Sequence, residues 1–566
     1  MARSPEQATP SVSFGILCEM MLGCVFRACC PCGLLTPSVC RKAGLVPTED
    51  NVDLRSAVVE SIHSICEALC AVNAPSISPA PSKWCSIAPF GSYGLGAHSS
   101  SSDLDLVAVL PRHVTRAGFF AAMPSLLAHV HQLEELIVLA DAYVPVIKFK
   151  LRGVSVDLLC CCMDVSSVPP SLNLTADAAL LLAKADPKGL LALNGVRICD
   201  FLLQHTPHTA RFRRLLRLVK LWAGHRGLYG STQQYLAGIS WAILVAHYLR
   251  SSGPCSLLDQ LKGFFEKYAH WDWPKPVQLT EEPQASASLP TLPSWSQATS
   301  SSDAMPIITP CWPSMNSAHY VSDTTCRVLT HEMACAAEVL RQFQSGQLPG
   351  GAAAVPRALM RSPPVLDDAH VLLLVRVSAG SQSGFLSWRA FLSTRLRLLC
   401  LLVETASTPT CQLSARLWPY PLHEEDTEED TQPAAVADAL ASHHSSAATS
   451  SEATEVAAAQ GHSAAGAALE EEAGSGGPVW LPSTDLARLT LAEESTLNLQ
   501  PAAFFDTWAV AVTVHSAVEG PQKVDLTKAI RVFSEKLETW KAAHLAEHAQ
   551  CGMVCVKAAD AKMQLL

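Results

Sequence analysis

The sequence predicts an α+β multidomain chain: a mixed sheet with helices, then a helical central part, then a second, C-terminal α/β unit. Three observations carry this. Short apolar runs broken by turn residues fill Trp84 to Cys162, the pattern of a compact sheet. From about Ala176 to Arg250 the apolar spacing becomes helical. Beyond residue 367, strand and helix patterns alternate again. A chain of 566 residues has room for about three or four domains.

The first fifty residues give no assignable element. Asp53 then reads as the N-cap of a helix with Leu54, Val58, Ile62, Ile65 and Leu69 along the face that meets the sheet. A Pro/Ser loop, Ser76 to Lys83, leads into a strand over Trp84 to Phe90, and Gly91-Ser92 turns the chain into a helix. Asp103 and Asp105 open the apolar run Leu104 to Leu110, which Pro111 ends. A helix is expected over Arg116 to Leu133, and Val144 to Leu159 reads as a hairpin turning at Arg152-Gly153. Arg211 to Ala223 and Leu236 to Leu249 are the strongest helices of the central part. Arg213, Arg217 and Lys220 share one side of the first, which for some of them is an ordinary solvated face. Thr280 to Ala304 is a Pro/Ser-rich loop, Thr324 to Phe343 a helix, and Ser345 to Pro364 a linker. The last unit runs Val371 to Val377, Phe385 to Thr405, Gln412 to Trp418, Thr507 to His515 and Leu526 to Trp540, the order of a split βαββαβ fold with one element unclear.

The chemistry gathers in Pro89 to Leu110. Side chains at i and i+2 of a strand share a face, so Asp103 and Asp105 converge on one spot. Paired carboxylates are hard to keep ionised unless a cation neutralises them, and hard divalent cations take such oxygen ligands. Gly91 lets backbone come close to a phosphate, and Ser92 adds a hydroxyl at the start of a helix whose first N–H groups lack partners. A Gly-Ser turn alone is common, and Asp-x-Asp alone is usually a solvated strand end. Asp157, in the second strand of the hairpin, supplies the third acid that makes a two-metal site readable.

Taken together, Phe90-Gly-Ser-Tyr93, Asp103-Leu-Asp105, Val144 to Lys148, Val156-Asp-Leu158, Leu193-Asn-Gly195, Lys220-Leu-Trp-Ala223, Gly238 to Ala246, Trp271 to Pro276 and Met305 to Pro310 resemble the eukaryotic nuclear poly(A) polymerases of the polymerase-beta-like nucleotidyltransferase superfamily. The acids are common to the superfamily; the later segments single out the poly(A) polymerases. The resemblance spans roughly residues 84 to 340. It implies template-independent transfer of AMP from ATP to RNA 3′ ends, as in mRNA polyadenylation in the nucleus, by in-line attack with two magnesium ions, manganese being an alternative. It gives Asp103, Asp105 and Asp157 the catalytic, metal-binding role. Gly91, Ser92, Lys220 and Tyr229 would hold the triphosphate, Phe90, Asn194, Gly238, Ile239 and Thr309 the base and ribose, and Lys148 the RNA. Cleavage and polyadenylation factors are implied partners. The domains implied are an unassigned segment 1–50, a nucleotidyltransferase domain 51–165, a helical central domain 166–344, a linker 345–366, an RNA-recognition-like domain 367–545 and a tail 546–566. Gly94, Gly224, His225, Ser231 and Ala237 depart from the family pattern; Ser231, standing where the family has an amide, is expected to narrow discrimination between ATP and GTP. A terminal uridylyltransferase, another oligonucleotide synthetase and an inactive RNA-binding scaffold are the alternatives. Gly238 to Ala246 and the C-terminal unit argue against the first two, the intact acid triad against the last.

Charge supports local rather than overall attraction to RNA. The net charge of −10 arises between Glu424 and Glu472, which hold twelve acids and no Lys or Arg, and the rest is close to neutral. That acidic insertion, 423–477, is Ala/Ser/Glu-rich and expected to be disordered. The 21 cysteines fit a reducing compartment, since Ser13 to Phe26 contains Glu19 and lacks the basic lead-in of a secretory signal. Cys29-Cys-Pro-Cys32 with Cys40 lacks the second pair of a zinc site, and no run has the length of a membrane span.

Overall fold

The computed structural model describes residues 46–418 apart from 73, 75–80, 143, 170–171, 173, 175–182, 281–293, 297–301, 352–353, 361–364, 366–368 and 380, together with 480–482, 504–516, 523–544 and 549–557. The acidic insertion and the Cys29 to Cys40 group lie outside the described residues, as does most of the unassigned opening.

Helix α1 (Glu49–Val72) begins a turn before the expected Asp53. The Thr48 hydroxyl accepts the Asn51 N–H at 3.2 Å, and Glu49 and Asp50 sit in the first turn, where acids suit the helix dipole. Its buried face, Val58, Ile62, Cys66 and Leu69, packs on a five-stranded sheet. The strands are β1 (Ser86–Pro89), β2 (Leu104–Leu110), β3 (Leu133–Leu139), β4 (Val146–Leu151) and β5 (Val154–Cys162), in the order β1-β2-β5-β4-β3. Between β1 and β2 lies a single helical turn, α2 (Gly91–Gly94). Only β2 and β5 run parallel. Helix α3 (Arg116–Ala128), capped by the Thr115 hydroxyl, is shorter than expected: Leu133 is not helical but starts the edge strand β3. Ile137 and Val138 are β-branched and suit a strand, and the open edge of β4 pairs with the segment. The predicted hairpin turn is present, with Arg152 at φ 52° and Gly153 at φ 76°.

Every residue of β2 is buried. Leu104, Leu106, Ala108 and Leu110 face α1 and α3, while Val107 and Val109 face helix α4 (Pro187–His205) through Ala192, Leu193 and Val196. A strand covered on both sides reads as a continuous apolar run, as it does here. Asp105 belongs to the second face.

The central part consists of α4, α5 (Thr209–His225), a 3₁₀ turn (Ser231–Gln233), α6 (Gly238–Ser251), α7 (Leu257–Ala269), α8 (Asp323–Gln344) and the short α9 (Val355–Leu359). Trp222 and Trp241 meet edge to face at 6.1 Å, and Phe264, Phe265 and Tyr268 pack around them. α6 is buried almost all round, which is why its sequence carries so little charge. Among the described residues no helix is long and apolar enough to cross a membrane.

The C-terminal unit is β6 (Val371–Ala379), α10 (Gln382–Glu404), β7 (Cys411–Leu417), a strand pair of β8 (Trp480–Pro482) with β10 (Lys523–Asp525), β9 (Phe504–Ser516), α11 (Thr527–His544) and β11 (Ala549–Lys557). The main sheet, β11-β6-β9-β7, is antiparallel throughout. This completes βαββαβ, and the element the sequence left unclear is β11, inside the segment expected to be a tail. Trp388, Leu392, Leu396 and Phe533 fill one face. On the other, Val365 and Trp418 cover Leu372, Leu374 and Ala511.

Arg226, just past α5, donates to Glu332 of α8 through Nε at 3.0 Å and through Nη2, and both side chains are under a tenth exposed. Glu332→Ala strands a buried cation and is expected to cost about 3–5 kcal/mol in denaturant unfolding, whereas the double change Arg226→Met with Glu332→Leu should recover most of it. Equal loss in both proteins would mean that the pair contributes only packing.

Candidate active site

The parallel pairing of β2 with β5 sets Asp105 directly opposite Asp157, and the antiparallel pairing of β5 with β4 sets Lys148 opposite Asp157 on the other side. Asp103 lies one residue before β2. Their exposures of 2%, 5% and 2% for Asp103, Asp105 and Asp157 leave solvent unable to support three charges. Lys148 Nζ donates to Asp157 Oδ2 at 2.7 Å, an ion pair with little solvent access. Asp105 Oδ1 is buried without a hydrogen bond. Burial first, then Asp157 and Asp103, hold the Asp105 carboxyl well above the usual carboxylate range, against the pull of Lys148 and Lys220. Gly91, at φ 60°, comes so close to this acid that a Cβ would lie 2.0 Å from Asp105 Oδ2. A carboxylate oxygen left without a donor, among further carboxylates, is a donor set that suits a hard divalent cation.

Asp105 and Asp157 open into a cavity of about 260 Å³. Phe90, Gly91 and Ser92 line it from the sheet side, Asn194 from α4, and Lys220 and Tyr229 from α5 and the turn after it. Gly238 and Ile239, at the start of α6, and Thr309 complete the wall. Elements more than two hundred residues apart in sequence thus meet around one space. Lys220 Nζ stands 5.8 Å from the centre of the Tyr229 ring. A Cβ on Gly238 would come within 2.8 Å of the Tyr229 hydroxyl, so the start of α6 is kept bare there. Asn194 Nδ2 donates to the Pro313 carbonyl at 3.2 Å, while its Oδ1 is buried with no donor. Thr309 Oγ1 accepts the Met315 N–H at 2.9 Å. Asp103 and Lys148 are not part of the lining.

Four basic residues have duties that spacing did not reveal. Arg213 Nε donates to the Leu95 carbonyl at 2.8 Å and Arg217 Nη2 to the Gly96 carbonyl at 2.6 Å, so this side of α5 fastens the loop after Gly91-Ser92 and is not a solvated face. Arg55 of α1 grips the same loop further along. Lys148, expected at the RNA, is bound to Asp157. Ser231 is fully buried in its 3₁₀ turn and is not among the cavity-lining residues, so the geometry gives it no contact with a base there. His98, on the fastened loop, is driven down to about 4 by burial and by Arg55, Arg217 and Lys220.

Residues 39–205 match the family model of the poly(A) polymerase nucleotidyltransferase domain, and residues 211–349 that of the poly(A) polymerase central domain. The chain is 32% identical over 328 residues to poly(A) polymerase PAPalpha of Candida albicans, covering 56% of this chain and 56% of that one. It is 31% identical over 335 residues to a poly(A) polymerase of Dictyostelium discoideum, covering 59% and 39%. To nuclear poly(A) polymerase 1 of Arabidopsis thaliana it is 33% identical over 322 residues, covering 56% and 43%. The chain spans about half the length of the curated relatives it matches.

Because the folded state holds Asp105 protonated to higher pH than the unfolded state does, folding stability falls as pH rises above about 4, the ordinary aspartate value, until the raised folded pKa is passed. Asp105→Asn is therefore expected to melt higher than the unmodified chain, by about 2–4 °C for each 1 kcal/mol gained, with the difference widening from pH 4 upward. Melting curves at several pH values, without divalent cations, test this. A lower melting temperature for Asp105→Asn at pH 7 would contradict the assigned burial and crowding.

Proposed function

The chain belongs to the poly(A) polymerase family across residues 39–349, and from this we propose that it adds AMP from ATP to RNA 3′ ends without a template. The observation that carries the reading is the register that puts Asp105 opposite Asp157 at the edge of a cavity also lined by Lys220 and Tyr229. Asp103, Asp105 and Asp157 would hold magnesium, or manganese in its place; bound there, the ions neutralise phosphate charge and make the primer 3′ hydroxyl a better nucleophile. Ser92, Lys220 and Tyr229 hold the triphosphate, with Gly91 leaving the room. Phe90 and Ile239 present apolar surface to the base, and Asn194 Oδ1 and Thr309 supply polar contacts to base and ribose. Lys148 neutralises Asp157 on the side away from Asp105. In-line attack by the primer hydroxyl on the α-phosphorus then releases pyrophosphate, whose charge Lys220 faces.

RNA is the second substrate, and the RNA-recognition-like unit gives it a further surface, although Val365 and Trp418 cover part of its open face. The relative named a nuclear poly(A) polymerase supports the nucleus as the setting, and cleavage and polyadenylation factors are the partners proposed for it.

Asp105→Ala should lower nucleotide addition by about three powers of ten or more while RNA affinity stays within a small factor. Incorporation of each of the four ribonucleotides into an RNA primer with magnesium, in both proteins, is the measurement. Preference for UTP in the unmodified chain would overturn the adenylyltransferase reading, and near-normal turnover in Asp105→Ala would overturn the assignment of the acids.

A further inference from the structure

α1 reaches beyond its packing face into the acid site. Arg55, in its second turn, is 2% exposed; its Nε and Nη2 are used as donors, while Nη1 is buried without a hydrogen-bond partner. Nε donates to Asn51 Oδ1 at 3.0 Å, one turn back, which orients the planar fork. Nη2 donates to the Ser100 carbonyl at 3.0 Å and also to the Ser102 carbonyl. Both accept from the same nitrogen, so the two carbonyls are drawn together over one donor. Asn51 Nδ2 reaches the Ser100 carbonyl as well, at 3.5 Å.

The segment so held is Ser99 to Ser102, four serines with no apolar side chain to anchor them, and the next residue is Asp103. Ser102 Oγ accepts the Ser99 N–H at 2.9 Å, which closes the loop on itself. The opposite end of the stretch is held by Arg213 and Arg217 at Leu95 and Gly96. Burial lowers the pKa of Arg55, and Asp103, Tyr93 and Asp105 are the groups that act against this, so the acids are close electrostatic partners of the guanidinium.

We propose that Arg55 is a positioning residue for the acid site: its grip on the Ser100 and Ser102 carbonyls sets the direction in which Asp103 leaves the loop, and its charge relieves repulsion between Asp103 and Asp105. Lysine cannot replace it, because a point-charge ammonium on a flexible stem lacks the planar fork that meets Asn51 and the loop together. Arg55 is not among the residues lining the cavity, so its loss acts through the acids and not through the nucleotide pocket. The inference rests on the adenylyltransferase reading only for its activity readout.

The test uses the full chain with Arg55→Lys and Arg55→Ala. Loss of a residue that orients metal ligands should lower kcat by about 10- to 100-fold and raise the magnesium concentration for half-maximal rate similarly, with KM for ATP changing by less than about threefold. ATP binding measured without divalent cations should be unchanged, and guanidinium ion should restore activity to Arg55→Ala but not to Arg55→Lys. The rise in melting temperature on adding manganese, which needs no turnover, should be smaller in Arg55→Lys than in the unmodified chain. An equal rise, or an unchanged magnesium dependence in folded Arg55→Lys, overturns the proposal. If Arg55→Ala does not fold, Arg55→Lys decides. If the unmodified chain adds no AMP to RNA, the function reading fails and the manganese-induced shift still judges Arg55.

Discussion

Everything at the cavity depends on one pairing, the parallel register of β2 and β5 that brings Asp105 against Asp157. Two carboxylates side by side in a buried sheet repel each other and lose hydration, so the surroundings must offset both. Lys148 does so for Asp157 through a 2.7 Å ion pair. Asp105 receives less: Lys148 and Lys220 act on it through the field alone, and one of its oxygens has no donor. The raised proton affinity of Asp105 follows from that asymmetry. A divalent cation relieves the same asymmetry without a proton.

The rest of the first two regions holds the loops that border this pairing. Residues 91–102 form the link between β1 and β2, and arginines from two sides pin it, Arg213 and Arg217 from α5 and Arg55 from α1. Leu95 and Ala97 anchor the first half of the link in the helical core, but Ser99 to Ser102 have no apolar side chain, and there hydrogen bonds from the buried Arg55 take the place of such anchors. Helices α4 and α6 close the far side, where Gly238 leaves space under the Tyr229 hydroxyl. The apolar core behind α6, with Trp222, Trp241 and Phe264, makes that wall stiff.

The C-terminal unit stands apart in its physics. Its sheet is antiparallel with helices on one face, and the other face carries the apolar Leu372 and Leu374 under Val365 and Trp418.

The sequence by itself determined what short-range chemistry can encode. The acids two residues apart before an apolar strand, the Gly-Ser turn, the Arg152-Gly153 hairpin and the almost uncharged α6 are each legible from neighbours along the chain. Likeness to a family extended this to Asn194, Lys220, Tyr229, Gly238, Ile239 and Thr309, and the fold brings all six to one cavity with Asp105 and Asp157. Only the tertiary structure decided where isolated charges go. A lysine or arginine on a strand or helix looks the same in sequence whether it meets water, RNA or a carbonyl across the fold, and so Arg55, Lys148, Arg213 and Arg217 were not readable. The same holds for β3 and β11, which pair with the edges of β4 and β6 across the fold. Hydrogen-bonding partners forty or a hundred residues distant leave no periodicity behind, and that is where the sequence stops and the fold begins.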